Sequence, residues 1–201
     1  VGRPRASLTF DDGPHAQTLE LLRVLGEYRV RATFFQVGMF VRARSEIARA
    51  VAETHEVANH TDTHPWLWRT WPSRIEQEVA RAQDSILAAT GFAPRWFRPT
   101  YGVPGIGLRR ALRLHGLHSV GWTVIGNDWK LRAPEIAARV LKHLRPGANI
   151  CLHDGRDRNP APDIAETIEA VRILIPAVLA RGYEFVTLSE LLCPPTISPS
   201  A

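Results

Sequence analysis

Two adjacent carboxylates, Asp11 and Asp12, close an apolar run, and Gly13-Pro14 turns the chain straight after them. Like charges this close repel unless a cation or a proton sits between them. Taken alone, the triplet reads more readily as a solvated acidic turn than as a site. A second cluster is His60-Thr61-Asp62-Thr63-His64. Histidines at i and i+4 share one face of a helix and can grip one ion, and the spacing predicts that arrangement. Two imidazoles and one carboxylate make a three-ligand set with positions left for water and substrate, and the other acid is then free to act as a base. His153, before Asp154-Gly155, is a titratable imidazole suited to giving a proton. Asp128, in Asp128-Trp129, would raise the pKa of a nearby His153 and orient its ring, and Arg98 has the fixed guanidinium that holds a carboxylate base ionised.

Each cluster follows a segment that reads as a strand. Strands are expected at 6–10, 32–37, 56–58, 95–97, 119–124, 149–152 and 184–187. Helical patterns alternate with them: a leucine face from Leu19 to Leu25, then 45–53, 73–89, 107–115, 134–144 and 164–180. Ser73 with Glu76 has capping-box spacing, and Pro176 is expected to bend the last helix. Alternation of this kind argues for a parallel α/β sheet, and six to eight units point to a barrel or partial barrel, with a doubly wound open sheet as the alternative. Both architectures gather their sites at the C-terminal ends of the strands.

Composition sets limits on function. The chain has 201 residues, 45% hydrophobic and 22% charged, which suits one globular domain. The net charge is +5, but the arginines are scattered without a dense basic run, so no nucleic-acid partner is expected. No GxGxxG or P-loop follows a strand, which argues against nucleotide chemistry. No apolar run reaches membrane-spanning length, and no export signal precedes the first strand. Cys151 and Cys193 lack metal-type spacing. The Pro- and Ser-rich stretch 193–201 is expected to be a loose tail beyond a domain at 1–192.

Taken in order, Thr9-Phe10-Asp11-Asp12-Gly13-Pro14, His60 to His64, Arg98-Pro99-Thr100-Tyr101-Gly102, Asp128-Trp129 and Cys151-Leu152-His153-Asp154 resemble the motifs of the polysaccharide deacetylases, the NodB-homology type of carbohydrate esterase family 4. The resemblance runs from about Ser7 to Leu192. It implies a distorted, incomplete (β/α) barrel of about seven parallel strands. It implies one divalent metal on Asp12, His60 and His64, with zinc the default for such ligands and cobalt, nickel or manganese as substitutes. Asp11 would be the general base, positioned by Arg98, and His153 the general acid, tuned by Asp128. The backbone N–H of Tyr101 would stabilise the oxyanion, and Trp129 would wall the acetyl pocket. The implied reaction is hydrolysis of acetyl groups on an acetylated glycan, such as chitin oligomers or peptidoglycan, with acetylxylan esterase or a silent glycan-binding homologue as alternatives. The resemblance favours an extracytoplasmic setting; a monomer is the default, with the oligomeric state left open.

The chain departs from the family pattern at Thr100, where Pro is common, at Ile125, often acidic, and at Thr54 and Ala58, where Gly is frequent. Cys151 stands where a Leu usually lines the acetyl pocket. On a strand it shares a face with His153, so it either contacts the acyl methyl or is an inert core thiol. Trp66, Trp68 and Trp71 follow His64 and fit either of two roles, sugar stacking or packing of their own loop.

Overall fold

A computed structural model describes residues 2–193, so the expected tail lies outside the described residues apart from Cys193. In chain order the strands are β1 (Arg5–Asp11), β2 (Thr33–Gln36), β3 (Glu56–Asn59), β4 (Trp96–Phe97), β5 (His118–Ser119), β6 (Val124–Ile125), β7 (Ala148–His153) and β8 (Glu184–Phe185). Between them run α1 (Thr18–Glu27), α2 (Gly38–Ala43), α3 (Ser45–Thr54), α4 (Pro72–Thr90), α5 (Leu108–Leu114), α6 (Ala133–His143), α7 (Ala165–Ala180) and α8 (Leu188–Leu192). Every pairing is parallel, in the order β5-β4-β3-β2-β1-β7-β6, with short β8 beside the start of β1. Seven strands thus form a curled half-barrel, as the resemblance implied.

Alternation along β1 and β7 decides what faces where. Ala6, Leu8 and Phe10, with Ala148, Ile150 and Leu152, join the main apolar core that also takes in Ile136, Val140, Val171, Leu174 and Ile175 of α6 and α7. The opposite parity places Ser7, Thr9 and Asp11 beside Asn149, Cys151 and His153, so the barrel interior is polar.

Several expected elements differ. The strand at 119–124 is split. Its first part pairs with β4 and its second with β7, so four residues carry the chain across the opening between the two sheet edges. Arg98 and Asn149 side chains both donate to the Gly121 carbonyl in that crossing, which satisfies a backbone group the ladder leaves unpaired. The Ser73–Glu76 capping box does not form. α4 begins at Pro72, after Trp71 with no side-chain cap, because proline at the first helical position needs no capped N–H. The box occurs instead at Thr187 and Glu190, which start α8 where only the end of a strand was expected. Of the α1 leucines, Leu21 and Leu25 are buried whereas Leu19 is exposed.

Candidate active site

The β1–β7 register sets Asp11 directly beside His153, both at strand C-terminal ends. Asp12 follows in a left-handed backbone conformation, φ 76°, which turns its side chain away from that of Asp11. Left-handed φ recurs at Thr61 (70°), His64 (52°), Tyr101 (57°), Asn127 (58°) and Asp157 (49°). Apart from Arg29, every non-glycine residue with such a φ among the described residues belongs to, or adjoins, this site. Backbone strain of this kind concentrates where geometry is functional.

The two histidines do not share a helix face. Residues 60–66 form an irregular loop, with left-handed Thr61 and His64. Its backbone groups are satisfied elsewhere. Gly38 and Met39 N–H donate to the Thr61 and Asp62 carbonyls, His64 N–H donates to Thr61 Oγ1, and Asp62 and Thr63 N–H donate to Glu78. Glu78 is a buried carboxylate on α4, paired with Arg74 at 2.8 Å. The sequence reading missed it; the signal was a charge on the same helix face as Ile75, Val79 and Ala82.

The loop nevertheless brings the imidazoles to Asp12. His64 Nε2 lies 3.0 Å and His60 Nε2 3.4 Å from Asp12 Oδ1, and all three residues are buried. His60 Nδ1 is 2.8 Å from the Arg98 carbonyl, which can only accept, so Nδ1 carries the proton. With Nδ1–H donating to that carbonyl, Nε2 faces a carboxylate oxygen, and a buried pair of this kind needs a metal cation or a proton between the two atoms. Asp12, His60 and His64 fit a divalent metal on that ground, and their ligand atoms all lie within 4.8 Å of one another.

Asp11 Oδ1 receives Arg98 at 2.7 Å, and the same guanidinium nitrogen donates to Thr9 at 2.8 Å. Arg98 is fully buried, with its guanidinium carbon 4.0 Å over the Phe35 ring. Asp11 Oδ2 has only the Cys151 thiol, 3.5 Å away, a weak donor. Burial, and then the Asp11 charge, push that thiol well above its ordinary pKa, so Cys151 stays protonated. It shares the interior face with His153 but has no exposed surface, so it lies beneath Asp11 rather than at the open wall.

Asp128 holds His153 twice, through the ring Nδ1 and the backbone N–H, each at 2.8 Å, and also accepts from Thr167 Oγ1. Burial alone would lower the imidazole pKa. The Asp128 carboxylate outweighs it, with help from Asp12 and Asp11, and pushes His153 up to about 9. With Nδ1 engaged, the protonated Nε2 is the free donor. Next in sequence, the Asp154 carboxyl is buried against Gly13 and accepts from Thr18 Oγ1 at 2.7 Å, and burial pushes it up to about 7.

These groups open onto one cavity of about 430 Å³, lined by Asp11, Asp12, His60, His64, Tyr101 and His153. Its other walls are Gly102, Trp122, Ile125, Trp129, Arg156 and Asp157. Trp129 stands edge-on to His153, with ring centroids 5.3 Å apart. Gly102 lies flush against Trp122, where a Cβ would meet the indole at 2.4 Å. Arg156 and Asp157 went unread in the sequence, although they immediately follow His153-Asp154-Gly155. Arg156 donates to the Asp128 carbonyl, and Asp157 N–H donates to Asp12 Oδ2. Trp122 had no signal beyond its place in the split strand.

A curled parallel sheet thus sets a carboxylate and an imidazole, Asp11 and His153, beside an Asp-His-His donor set at its strand ends. The chain belongs to the polysaccharide deacetylase family, whose sequence profile matches residues 1–120. It is 41% identical over 194 residues to a chitooligosaccharide deacetylase of a Bradyrhizobium species, covering 92% of this chain and 89% of that one. The fold superposes on peptidoglycan deacetylase PdaC from Bacillus subtilis with a TM-score of 0.84 at 30% identity, covering 94% and 90% of the two chains. It also superposes, at 0.85 and 25% identity, on a family 4 pseudoenzyme from Bacillus anthracis, covering 94% of this chain and 66% of that one. Among the described residues no helix is long and apolar enough to cross a membrane.

Proposed function

We propose that this chain hydrolyses the acetamide of N-acetylglucosamine residues in a chitin- or peptidoglycan-type glycan outside the cytoplasm, using one divalent ion. The observation that carries this reading is the pairing of Asp11, held by Arg98, with a raised-pKa His153 directly across from it in register. Asp12, His60 and His64 would hold the ion, with zinc preferred by two imidazoles and a carboxylate. When bound, it supplies Lewis acidity toward the carbonyl and acidifies the attacking water.

The remaining chemistry belongs to the chain. Asp11 takes a proton from the water as its oxygen adds to the acetyl carbon. Arg98 keeps the Asp11 carboxylate ionised and aimed. The Tyr101 N–H, presented by the left-handed turn at Thr100–Gly102, supports the developing oxyanion. His153 gives its Nε2 proton to the nitrogen as the C–N bond breaks, so the sugar leaves as an amine with acetate as the second product. Trp129 bounds the acyl group on the open side, whereas Cys151, for which contact with the acyl methyl was one of two expected roles, is off the cavity wall and backs Asp11 instead. A silent homologue is the second reading, since the same fold includes a pseudoenzyme; the presence of Asp11, Arg98 and His153 together favours activity. The test is acetate release from chitin oligomers, peptidoglycan and acetylxylan. The expected outcome is release from the N-acetylated substrates, and failure on all three would overturn the reading.

A further inference from the structure

Beside the cavity stands an aromatic ridge that the reaction does not use. Trp66 and Trp68 are 47% and 41% exposed, and their ring centroids lie 4.7 Å apart. Trp66 meets Tyr101 at 4.7 Å and Trp68 meets it at 5.9 Å, and Tyr101 itself lines the cavity. The ridge is therefore continuous with the wall of the candidate site.

Packing does not account for the two indoles, because the residue between them performs it. Leu67 is fully buried in a cluster with Ile75, Val79 and Phe97. Gly105 comes so close that a Cβ there would stand 2.1 Å from the Leu67 carbonyl. Thr100 Oγ1 donates to the Pro65 carbonyl, and Arg69 N–H and Thr70 Oγ1 both donate to the Trp66 carbonyl. The turn is pinned by these contacts, and the two rings are held outward on it. Two large apolar rings kept in water on a rigid turn mark a binding surface. Rigid aromatics bind at low entropic cost, since little freedom remains to be lost.

We infer that Trp66 and Trp68 form a stacking subsite for a sugar of the same glycan chain whose N-acetyl group enters the cavity. This rests on the proposed deacetylase reading and extends it from a single residue to an oligomer. A β-linked N-acetylhexosamine oligomer is the matching occupant. Its pyranose rings offer flat C–H faces to aromatic rings, and its neighbouring sugars must leave the cavity across one of its rims. Trp71 is 81% exposed but lies outside the Trp66–Trp68–Tyr101 ring contacts, so it is not part of the subsite.

The test is calorimetric binding of the N-acetylglucosamine dimer, tetramer and hexamer to the full chain carrying Asp11→Asn, repeated on the wild-type chain held with chelator. The expected result is affinity that rises about tenfold from dimer to tetramer. Trp66→Ala/Trp68→Ala should remove that rise, and Trp71→Ala should leave it intact. A rise that survives the double substitution overturns the subsite, as does equal binding of all three oligomers to the unsubstituted ridge. If the ridge instead joins two copies of the chain, the double variant changes the sedimenting mass and not the oligomer affinities, which also overturns it. Failure of the deacetylase reading is separate: it shows as no acetate from the wild-type chain while the tryptophan-dependent affinity persists.

Discussion

Asp128→Asn tests the acid side of the site. The rise of His153 from 6.5 to about 9 is worth about 3 kcal/mol of preference for the protonated ring, set against burial mainly by Asp128. An amide cannot supply that charge, and it cannot satisfy its neighbours either. Asp128 accepts from the His153 ring, the His153 N–H and Thr167. An asparagine must turn its NH₂ toward one of these donors. If it faces the ring, Nδ1 becomes the acceptor and Nε2–H belongs to a neutral imidazole, which is no acid. The alkaline limb of kcat against pH should therefore move from near 9 to below 7, with kcat at pH 8 lowered about a hundredfold or more. The stability sign follows. A raised folded pKa stabilises fully below 6.5 and loses that contribution as pH climbs through about 9. The Tm gap between wild type and variant should accordingly be widest in acid and narrow toward pH 9. Acetate release across pH and thermal melts measure both. An unmoved alkaline limb with a near-wild-type rate would refute the assignment of His153.

Other substitutions separate the remaining roles. Chelation should abolish acetate release and added zinc or cobalt should restore it; full activity in metal-free protein would exclude the metal reading. Asp11→Asn should retain the ion and lose at least a hundredfold in kcat, while His60→Ala should lose the ion itself, as metal analysis after dialysis would show. Arg98→Met leaves the Asp11 carboxylate without its cation and should lower stability by about 3–5 kcal/mol in denaturant unfolding; a change below 1 kcal/mol would contradict the burial described. Cys151 lies beneath Asp11 and off the cavity wall, so Cys151→Leu should overpack that space and lower turnover of N-acetyl and N-propionyl substrates alike; a change in the ratio of the two would put Cys151 in the acyl pocket after all.

The chemistry was more legible in the sequence than the backbone that presents it. Asp11, Asp12 and His153 are readable because carboxylates and an imidazole sit just past apolar runs of strand length. Their juxtaposition follows from parallel register, which alternation alone makes accessible. The histidine pair was legible as two imidazoles meeting at one carboxylate but not as a loop. Spacing of four is ambiguous between a helix face and a folded turn, and the deciding contacts come from Gly38, Met39 and Glu78, distant in sequence. Left-handed φ at Asp12, Thr61 and Tyr101 has no residue signature, since none is glycine. The split of the strand at 119–124 was equally hidden, because two short ladders and one long one carry the same hydrophobic pattern.

That split strand has a consequence for how the enzyme fails. The crossing at Gly121 is latched by Arg98 and Asn149, and Arg98 is also the partner of Asp11. The barrel's latch and the aim of its base are one guanidinium. One nitrogen of that guanidinium serves Asp11 and the other the crossing, so a substitution that displaces Gly121 would also disturb the partner of Asp11, and damage to the join between the two sheet edges would be felt at the carboxylate.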